Sequence, residues 1–212
     1  ILNEKYNVIK TTGNLNNHIG LPLSILSIDE THELAVLEFG ASKLGDITEL
    51  CEVGQPNFGL ITNIGEAHLN EFINVDNIIK TKTELWTYLV NNNGTIFLNS
   101  NDEILNKTHK ENKLFSMYNK FIFYSEKEEK IKLKSSSPFL KINWDNQTLN
   151  TKIVGEYNLN NIIASIAVGK FFNIKKETVI QVLQKNSFEN NRSQYIKTNS
   201  NEIILDAYNA NP

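Results

Sequence analysis

A carboxylate and an imidazole, Glu38 and His68, stand where two short apolar runs of this sequence end. Phe58–Ile64 reads as a strand that stops at Gly65, and His68 follows just past that end. Leu34–Phe39 reads as a second strand, which delivers Glu38 to what should be the same edge. In an open parallel sheet, ligands bind at the carboxyl ends of the strands. A carboxylate and an imidazole at adjacent strand ends suggest a divalent-metal and phosphate site. An amphipathic helix carrying Lys80, Lys82 and Glu84 comes next. Together these features describe an enzyme core rather than a scaffold.

The elements that must position these groups alternate along the chain. Strand Tyr6–Lys10 leads into the polar loop TTGNLNNHIGLP, and Pro22 suits the first turn of a helix through Leu23–Ile28. After strand Leu34–Phe39 and loop GASKLG comes helix Asp46–Val53, with Asp46 favoured near the positive N-terminus. Strand Phe58–Ile64 and a helix around Val75–Val90 follow, then the turn NNNG, whose Gly94 can take a left-handed C-cap. Strand Thr95–Asn99 and a short helix near Asp102–Lys110 continue the pattern. Strands alternating with helices at this spacing predict an α/β fold, a doubly wound, mainly parallel sheet flanked by helices. From Phe121 to Val154 the texture changes: FIFYS, KIKLK, FLKINW and TLNTKIV predict a small antiparallel meander at one side of that sheet. EKEEKIKLKSSSP, residues 126–138, reads as a solvated hairpin or loop and not as a binding tract. Helices return at Asn158–Phe172 and Lys176–Gln184, and strands near Ser193–Thr198 and Glu202–Asp206 close the sequence.

Composition narrows the class. With 212 residues the chain can hold one large or two small domains. A net charge of −3, without a long block of like charges, argues against a nucleic-acid or membrane surface. No apolar run approaches the roughly 20 residues that span a bilayer, and Ile1–Lys10 lacks the marks of a signal peptide. The single cysteine, Cys51, excludes an intrachain disulfide and fits a reducing, cytoplasmic compartment. Its setting in ITELCEVG predicts a buried, inert thiol on a helix face. Arg192 is the only arginine of a lysine-rich chain. Ile1–Lys5 looks like the tail of a helix, and EIILDAYNANP runs from a strand into a loop, so the expectation is an excised central domain.

Taken singly, each candidate group has a bland explanation. Glu38 could be a solvated carboxylate, His68 a hydrogen-bonded structural histidine, and Lys82 a solvated helix lysine. Asn158 and Asn161 could be a helix N-cap and its neighbour. His32 reads as a turn residue and His109 as a residue on a polar helix face.

In order, however, TTGNLNNHIGLPLSIL, LEFGASKLGDI, LITNIGEAHLNEF, KTKTEL, GEYNLNNIIASIA and DAYNANP closely resemble the Mur ligases of peptidoglycan synthesis, from Thr11 to Pro212. NNHIGLP together with YNANP points to the branch that joins D-alanyl-D-alanine to UDP-N-acetylmuramoyl-tripeptide. The resemblance implies an ATP-dependent, magnesium-dependent amide ligase working through an acyl phosphate. It makes Glu38 and His68 magnesium-side residues, with Glu38 a hard oxygen ligand. It matches Lys82 to a lysine carried as a carbamate, an anion able to orient magnesium. Asn158 and Asn161 fall where adenine is bound, Arg192 near the γ-phosphate, and Asp206 near the ribose. Asn16, Asn17 and His18 sit in the loop facing the muramoyl nucleotide.

The resemblance also marks departures. The family's G-x-x-G-K-T phosphate loop, its N-terminal nucleotide-sugar domain and its C-terminal domain are not in this sequence, which would start at the helix after the loop. Without them, this stretch alone is expected to be inactive. Ser42–Lys43 replaces the Asn-His of many relatives, which puts a substrate role there in doubt. Two rival readings stay open: another amide ligase of the superfamily, such as a folylpolyglutamate synthase, and a non-catalytic nucleotide-binding module. Fold alone does not separate them, because function lives in the site.

Overall fold

Short strands crossed over by helices occupy the first part of the chain. β1 (Val8–Lys10) and β2 (Leu34–Val36) pair in parallel, with Val8 opposite Leu34, and α1 (Gly20–Leu26) lies between them in sequence. After α2 (Asp46–Gly54), β3 (Phe58–Leu60) pairs in parallel with β4 (Thr95–Asn99). Their crossover contains α3 (Val75–Asn91). α4 (Glu103–Glu111) and the one-turn α5 (Lys113–Ser116) lead to β5 (Phe121–Tyr124), which lies beside β4. The computed structural model describes residues 1–65, 74–187 and 193–207. It divides into two compact units, Leu2–Phe123 and Tyr124–Pro212 together with Ile1.

The parallel pairs bear out the doubly wound reading, although the ladders of β2 and β3 stop at Val36 and Leu60. Beyond them the backbone finds side-chain partners instead. The N–H of Glu38 donates to Thr11 Oγ1 at 2.8 Å, and that of Ile64 to Asp102 Oδ2 at 3.3 Å. Strand pairing thus gives way to loop geometry where the candidate groups lie.

α3 organises this unit. Asn74 caps it by accepting from the N–H of Asn77, and Asp76 sits in the first turn, where a negative charge is favoured. Its apolar stripe buries Ile78, Trp86 and Leu89. Trp86 packs edge-on to Phe115 and Phe121, both at 5.3 Å between ring centres. Ile96 and Leu98 of β4 and Leu105 of α4 complete that core. A second cluster joins Leu21 of α1 to Ile47, Leu50 and Cys51 of α2.

Three expectations need correction in this unit. FIFYS does not join the meander, because Phe121 is buried against Trp86 and β5 extends the β3–β4 sheet. Asn93, with φ of 58°, takes the left-handed position after α3 in place of Gly94. Gly94 matters for space instead: a Cβ there would lie 2.5 Å from Leu89 Cδ2 and 2.9 Å from the carbonyl oxygen of Asn57. His109 does not face solvent alone but packs edge-on to Phe121, 4.5 Å between centres, and burial lowers its pKa. Ile1–Lys5 is represented by a single turn of 3-10 helix, Leu2–Glu4.

The second unit contains the meander. β6 (Ile131–Ser135), β7 (Phe139–Trp144) and β8 (Gln147–Val154) are antiparallel neighbours in that order. Asp145 and Asn146, both with positive φ, make the two-residue turn that reverses β7 into β8. Inward alternation buries Leu140, Ile142 and Trp144 on β7 and Leu149, Thr151 and Ile153 on β8. α6 (Asn158–Phe171) and α7 (Lys176–Lys185) contribute Ile162, Ile163, Ile166, Val179 and Leu183 to the interior. β9 (Gln194–Lys197) and β10 (Glu202–Leu205) fall where two strands were expected, and they pair as an antiparallel hairpin. The stretch 126–138 is not purely solvated, since Ile131 is buried and Glu129 is buried against the ammonium of Lys170 at 3.3 Å.

Gly94→Ala is expected to destabilise the chain by about 1–3 kcal/mol, because the backbone carbonyl of Asn57 cannot yield as a side chain would. Urea unfolding of the two proteins measures the difference, and an unchanged midpoint would show that the turn has room.

Candidate active site

Glu38 lies two residues beyond β2 and is held from two directions. Thr11 Oγ1 accepts from its backbone N–H, and Asn16 Nδ2 donates to its Oε1 at 2.9 Å. The carbonyl of Asn16 in turn accepts from the N–H of Gly40 at 2.7 Å. A Cβ on Gly40 would meet the Asn16 amide at 2.9 Å, so this close approach requires glycine. Two of the sequence candidates, Asn16 and Glu38, are therefore brought together. Asn17 does something different: its Oδ1 accepts from the N–H groups of Ile19 and Gly20 at 3.1 and 2.9 Å, closing the first turn of α1. His18 is exposed between them.

Lys82 is not a solvated helix lysine. It is half-buried, and its Nζ donates to the carbonyl of Asn63 at 2.8 Å, just past the carboxyl end of β3. Burial lowers its pKa from the ordinary lysine value, while the charge of Asp102 pulls the other way. Asp102 itself accepts from the N–H of Leu105, capping α4, and from that of Ile64. The chain between Asn63 and Lys82 carries His68, which lies outside the described residues, as do Arg192 and the YNANP stretch. Among the described residues no three His, Cys, Asp or Glu side chains form a metal-holding group. Glu38 nevertheless fits a magnesium ion chemically, since Asn16 engages one oxygen of a group that has two and hard cations take oxygen ligands. Lys82 as an amine offers magnesium no ligand, and its lowered pKa favours the neutral form that a carbamate requires.

Glu84, two residues on, has a structural task that its sequence gave no hint of. Its carboxylate accepts from the N–H of Gly45 at 2.7 Å and from the N–H and hydroxyl of Thr48 at 2.9 and 3.1 Å. Ser42 and Lys43 belong to a similar device: Asp46 Oδ2 accepts from both of their N–H groups and from the Ser42 hydroxyl. Burial alone would raise the Asp46 carboxyl, but these bonds outweigh it and hold the pKa below the ordinary value. Ser42 is therefore occupied in shaping the loop. Cys51 is fully buried, and burial, reinforced by the Glu84 charge, pushes its thiol up to about 12, which makes it as inert as expected.

In the second unit, Asn158 is the first residue of α6 rather than its cap, because Tyr157 holds the N-cap position. Its buried side chain donates from Nδ2 to the carbonyl of Val154 at 2.8 Å and accepts from Asn161 Nδ2 at 3.0 Å. The exposed amide of the pair is Asn161. Asp206 follows β10 directly, is exposed, and accepts from Ser193 Oγ at 3.1 Å. Ser193 Oγ is also hydrogen-bonded to the hydroxyl of Tyr157. Thr11, Asn63, Tyr157 and Ser193 were not singled out by their sequence, although Tyr157 and Ser193 adjoin the candidates Asn158 and Arg192, and Thr11 and Asn63 lie inside the TTGN and LITN runs.

The chain as a whole has relatives among known proteins. The Mur ligase middle domain family matches residues 1–169. UDP-N-acetylmuramoyl-tripeptide–D-alanyl-D-alanine ligase of Bacillus subtilis is 34% identical over 217 residues, covering all of this chain and 46% of the relative. The crystal structure of MurF ligase from Thermotoga maritima in complex with ADP superposes with a TM-score of 0.80 at 28% identity, over 99% of this chain and 49% of that one. MurF from Acinetobacter baumannii gives a TM-score of 0.81 at 25% identity, with 99% and 47% covered. The chain belongs to the Mur ligase middle domain family. It spans about half the length of the relatives it matches.

The lowered pKa of Lys82 has a measurable consequence. In the unfolded chain the amine titrates near 10.5, while in the folded chain it loses its proton earlier. Between the two values the unfolded chain binds more protons, so this residue makes stability rise with pH. Lys82→Met removes the effect. Thermal melts at about pH 7 and about pH 10 should show the wild type gaining on the variant as pH rises; a constant difference would mean that the amine is solvated.

Proposed function

We propose that this chain is the ATP-binding central domain of a cytoplasmic amide ligase that joins D-alanyl-D-alanine to UDP-N-acetylmuramoyl-tripeptide. The observation that carries this reading is the desolvated amine of Lys82, hydrogen-bonded at the carboxyl end of β3 where ligands of such sheets bind. The names of the similar proteins and the ADP in the Thermotoga maritima structure support it. No helix among the described residues is long and apolar enough to cross a membrane.

In this reading the carboxylate of the nucleotide-linked peptide takes the γ-phosphoryl of ATP. The amine of the dipeptide then attacks the acyl phosphate, forming the amide and releasing phosphate. Such transfer depends on positioning and on neutralising charge. Magnesium, when bound, supplies positive charge beside the phosphate oxygens. Glu38 and His68 are the residues that would hold it. Lys82, once carbamylated, would add an anion on the metal side and remove an ammonium that would repel the metal. Arg192 would place a fixed guanidinium fork near the γ-phosphate. Asn161, steadied by Asn158, would read adenine, and Asp206 the ribose. Asn17 and His18 would face the muramoyl nucleotide, and Asn16 would add the hold on Glu38 to that role.

The test uses the full-length parent protein. With ATP, magnesium, UDP-N-acetylmuramoyl-tripeptide and D-alanyl-D-alanine it should release phosphate only when both peptide substrates are present. Lys82→Ala should lower turnover by on the order of 10²-fold or more, and added short carboxylates should restore part of it. ATP binding without ligation would identify a nucleotide-binding module instead, and phosphate release with a folate and glutamate in place of the two peptide substrates would identify a folylpolyglutamate synthase-like ligase.

A further inference from the structure

The hairpin of β9 and β10 brings its two open ends together, with Gln194 opposite Leu205. The residues just outside that pair are Ser193 and Asp206. Asp206 is exposed, and a carboxylate on a strand end would ordinarily turn freely in water. Ser193 is the opposite case: it is 5% exposed, with φ of 48°, a left-handed conformation uncommon for a residue with a side chain. Glycine would adopt that backbone at no cost, so the hydroxyl is what serine adds there.

Proton bookkeeping fixes the direction of the bonds that this hydroxyl makes. A carboxylate can only accept, so Ser193 must donate its single proton to Asp206 Oδ2. Ser193 Oγ then has lone pairs alone for its second partner, and the phenol of Tyr157 becomes the donor. The ring of Tyr157 lies close over Gly155, where a Cβ would be 2.5 Å from its Cε1. Gly155 has φ of 88° and can hold that approach. Tyr157 also immediately precedes Asn158, whose amide is bonded to Val154 and to Asn161. Asn161, Asn158, Tyr157, Ser193 and Asp206 thus form one series, linked by side-chain bonds and one peptide bond.

The geometry points to Ser193 and Tyr157 as positioning residues that hold the Asp206 carboxylate for a ribose hydroxyl of the bound nucleotide, in fixed relation to the base-reading Asn161. This inference rests on the reading of Asp206 given above. By occupying Oδ2, Ser193 sets the orientation of the carboxylate plane and hence the direction of Oδ1. A site built to bond a hydroxyl discriminates against the analogue that lacks it.

The experiment compares ATP with 2′-deoxy-ATP and 3′-deoxy-ATP in the full-length parent enzyme. The wild type should prefer ATP over one of the two analogues by about tenfold or more in kcat/KM. Ser193→Gly relieves the left-handed backbone while removing the hydroxyl, and Tyr157→Phe removes the donor alone. Each should collapse that preference and raise KM for ATP more than it lowers kcat, with Tm close to that of the wild type. Asp206→Asn distinguishes the two ways of failing. If it abolishes the preference while Ser193→Gly and Tyr157→Phe keep it, Asp206 reads the ribose unaided and the inference is overturned. If Asp206→Asn leaves the preference intact, the ribose reading falls and this inference falls with it. A loss of Tm with KM raised alike for ATP and dipeptide would make Ser193 and Tyr157 merely structural, which also overturns it.

Discussion

The carboxylate of Glu84 holds together the part of the chain on which the candidate metal side depends. It reaches from the middle of α3 to the first turn of α2 and accepts three hydrogen bonds there. The N-terminus of a helix carries unsatisfied N–H groups and a partial positive charge, so a carboxylate satisfies both. α2 has no side-chain cap of its own, because its N-cap is Gly45, with φ of 93°. Without Glu84 those donors would turn to water and α2 would lose its angular reference to α3. Two residues on a helix differ by about 200° around its axis, so Lys82 and Glu84 face different ways. One is bonded to the carbonyl beyond β3 and the other to α2, and α3 is thereby fixed about its own axis.

That fixing would be idle without a rigid core behind it. Trp86 lies one helical turn beyond Lys82 and is fully buried between Phe115 and Phe121. Aromatic pairs in this edge-on arrangement add about 0.5–1.5 kcal/mol each beyond the area they bury. The cost of desolvating the Lys82 amine is therefore met by packing elsewhere on the same helix. The second unit solves a comparable problem with a different architecture, a meander whose inward face is covered by apolar positions of β7 and β8 and by the stripes of α6 and α7. Each unit carries its own core, and each carries its own share of the candidate groups.

Much of this was legible in the sequence where one period dominated. α2, α3, α6 and α7 and the strand β4 fall within about two residues of their expected limits, because apolar spacing, capping residues and turn residues agree there. Legibility ended where a residue's fate depends on a distant partner. FIFYS alternates like the strands that follow it, and only the space beside Trp86 assigns it to the first sheet. NNNG announces a turn correctly, yet the left-handed residue is Asn93, while Gly94 is needed for the space that Leu89 and Asn57 leave it. His109 has polar neighbours in sequence and phenylalanines in space. The site residues follow the same rule: their types and order could be read, whereas Asn16 holding Glu38 and Ser193 holding Asp206 are facts of tertiary structure.

Those supporting bonds share a logic. Glu38, Lys82, Asn161 and Asp206 each have a polar atom engaged by a residue that contributes no charge: an asparagine amide, a backbone carbonyl, a second asparagine and a serine hydroxyl. A neutral partner fixes direction without neutralising the group it holds. A salt bridge would do the opposite, spending on an internal ion the field that a phosphate or a cation is meant to feel. Among the described residues, ion pairs such as Lys170 with Glu129 and Lys176 with Asp145 lie elsewhere, where orientation toward a ligand is not at stake in the proposed reaction. Preorganised groups that keep their charge and lose only their rotational freedom are what charge-stabilised phosphoryl transfer requires.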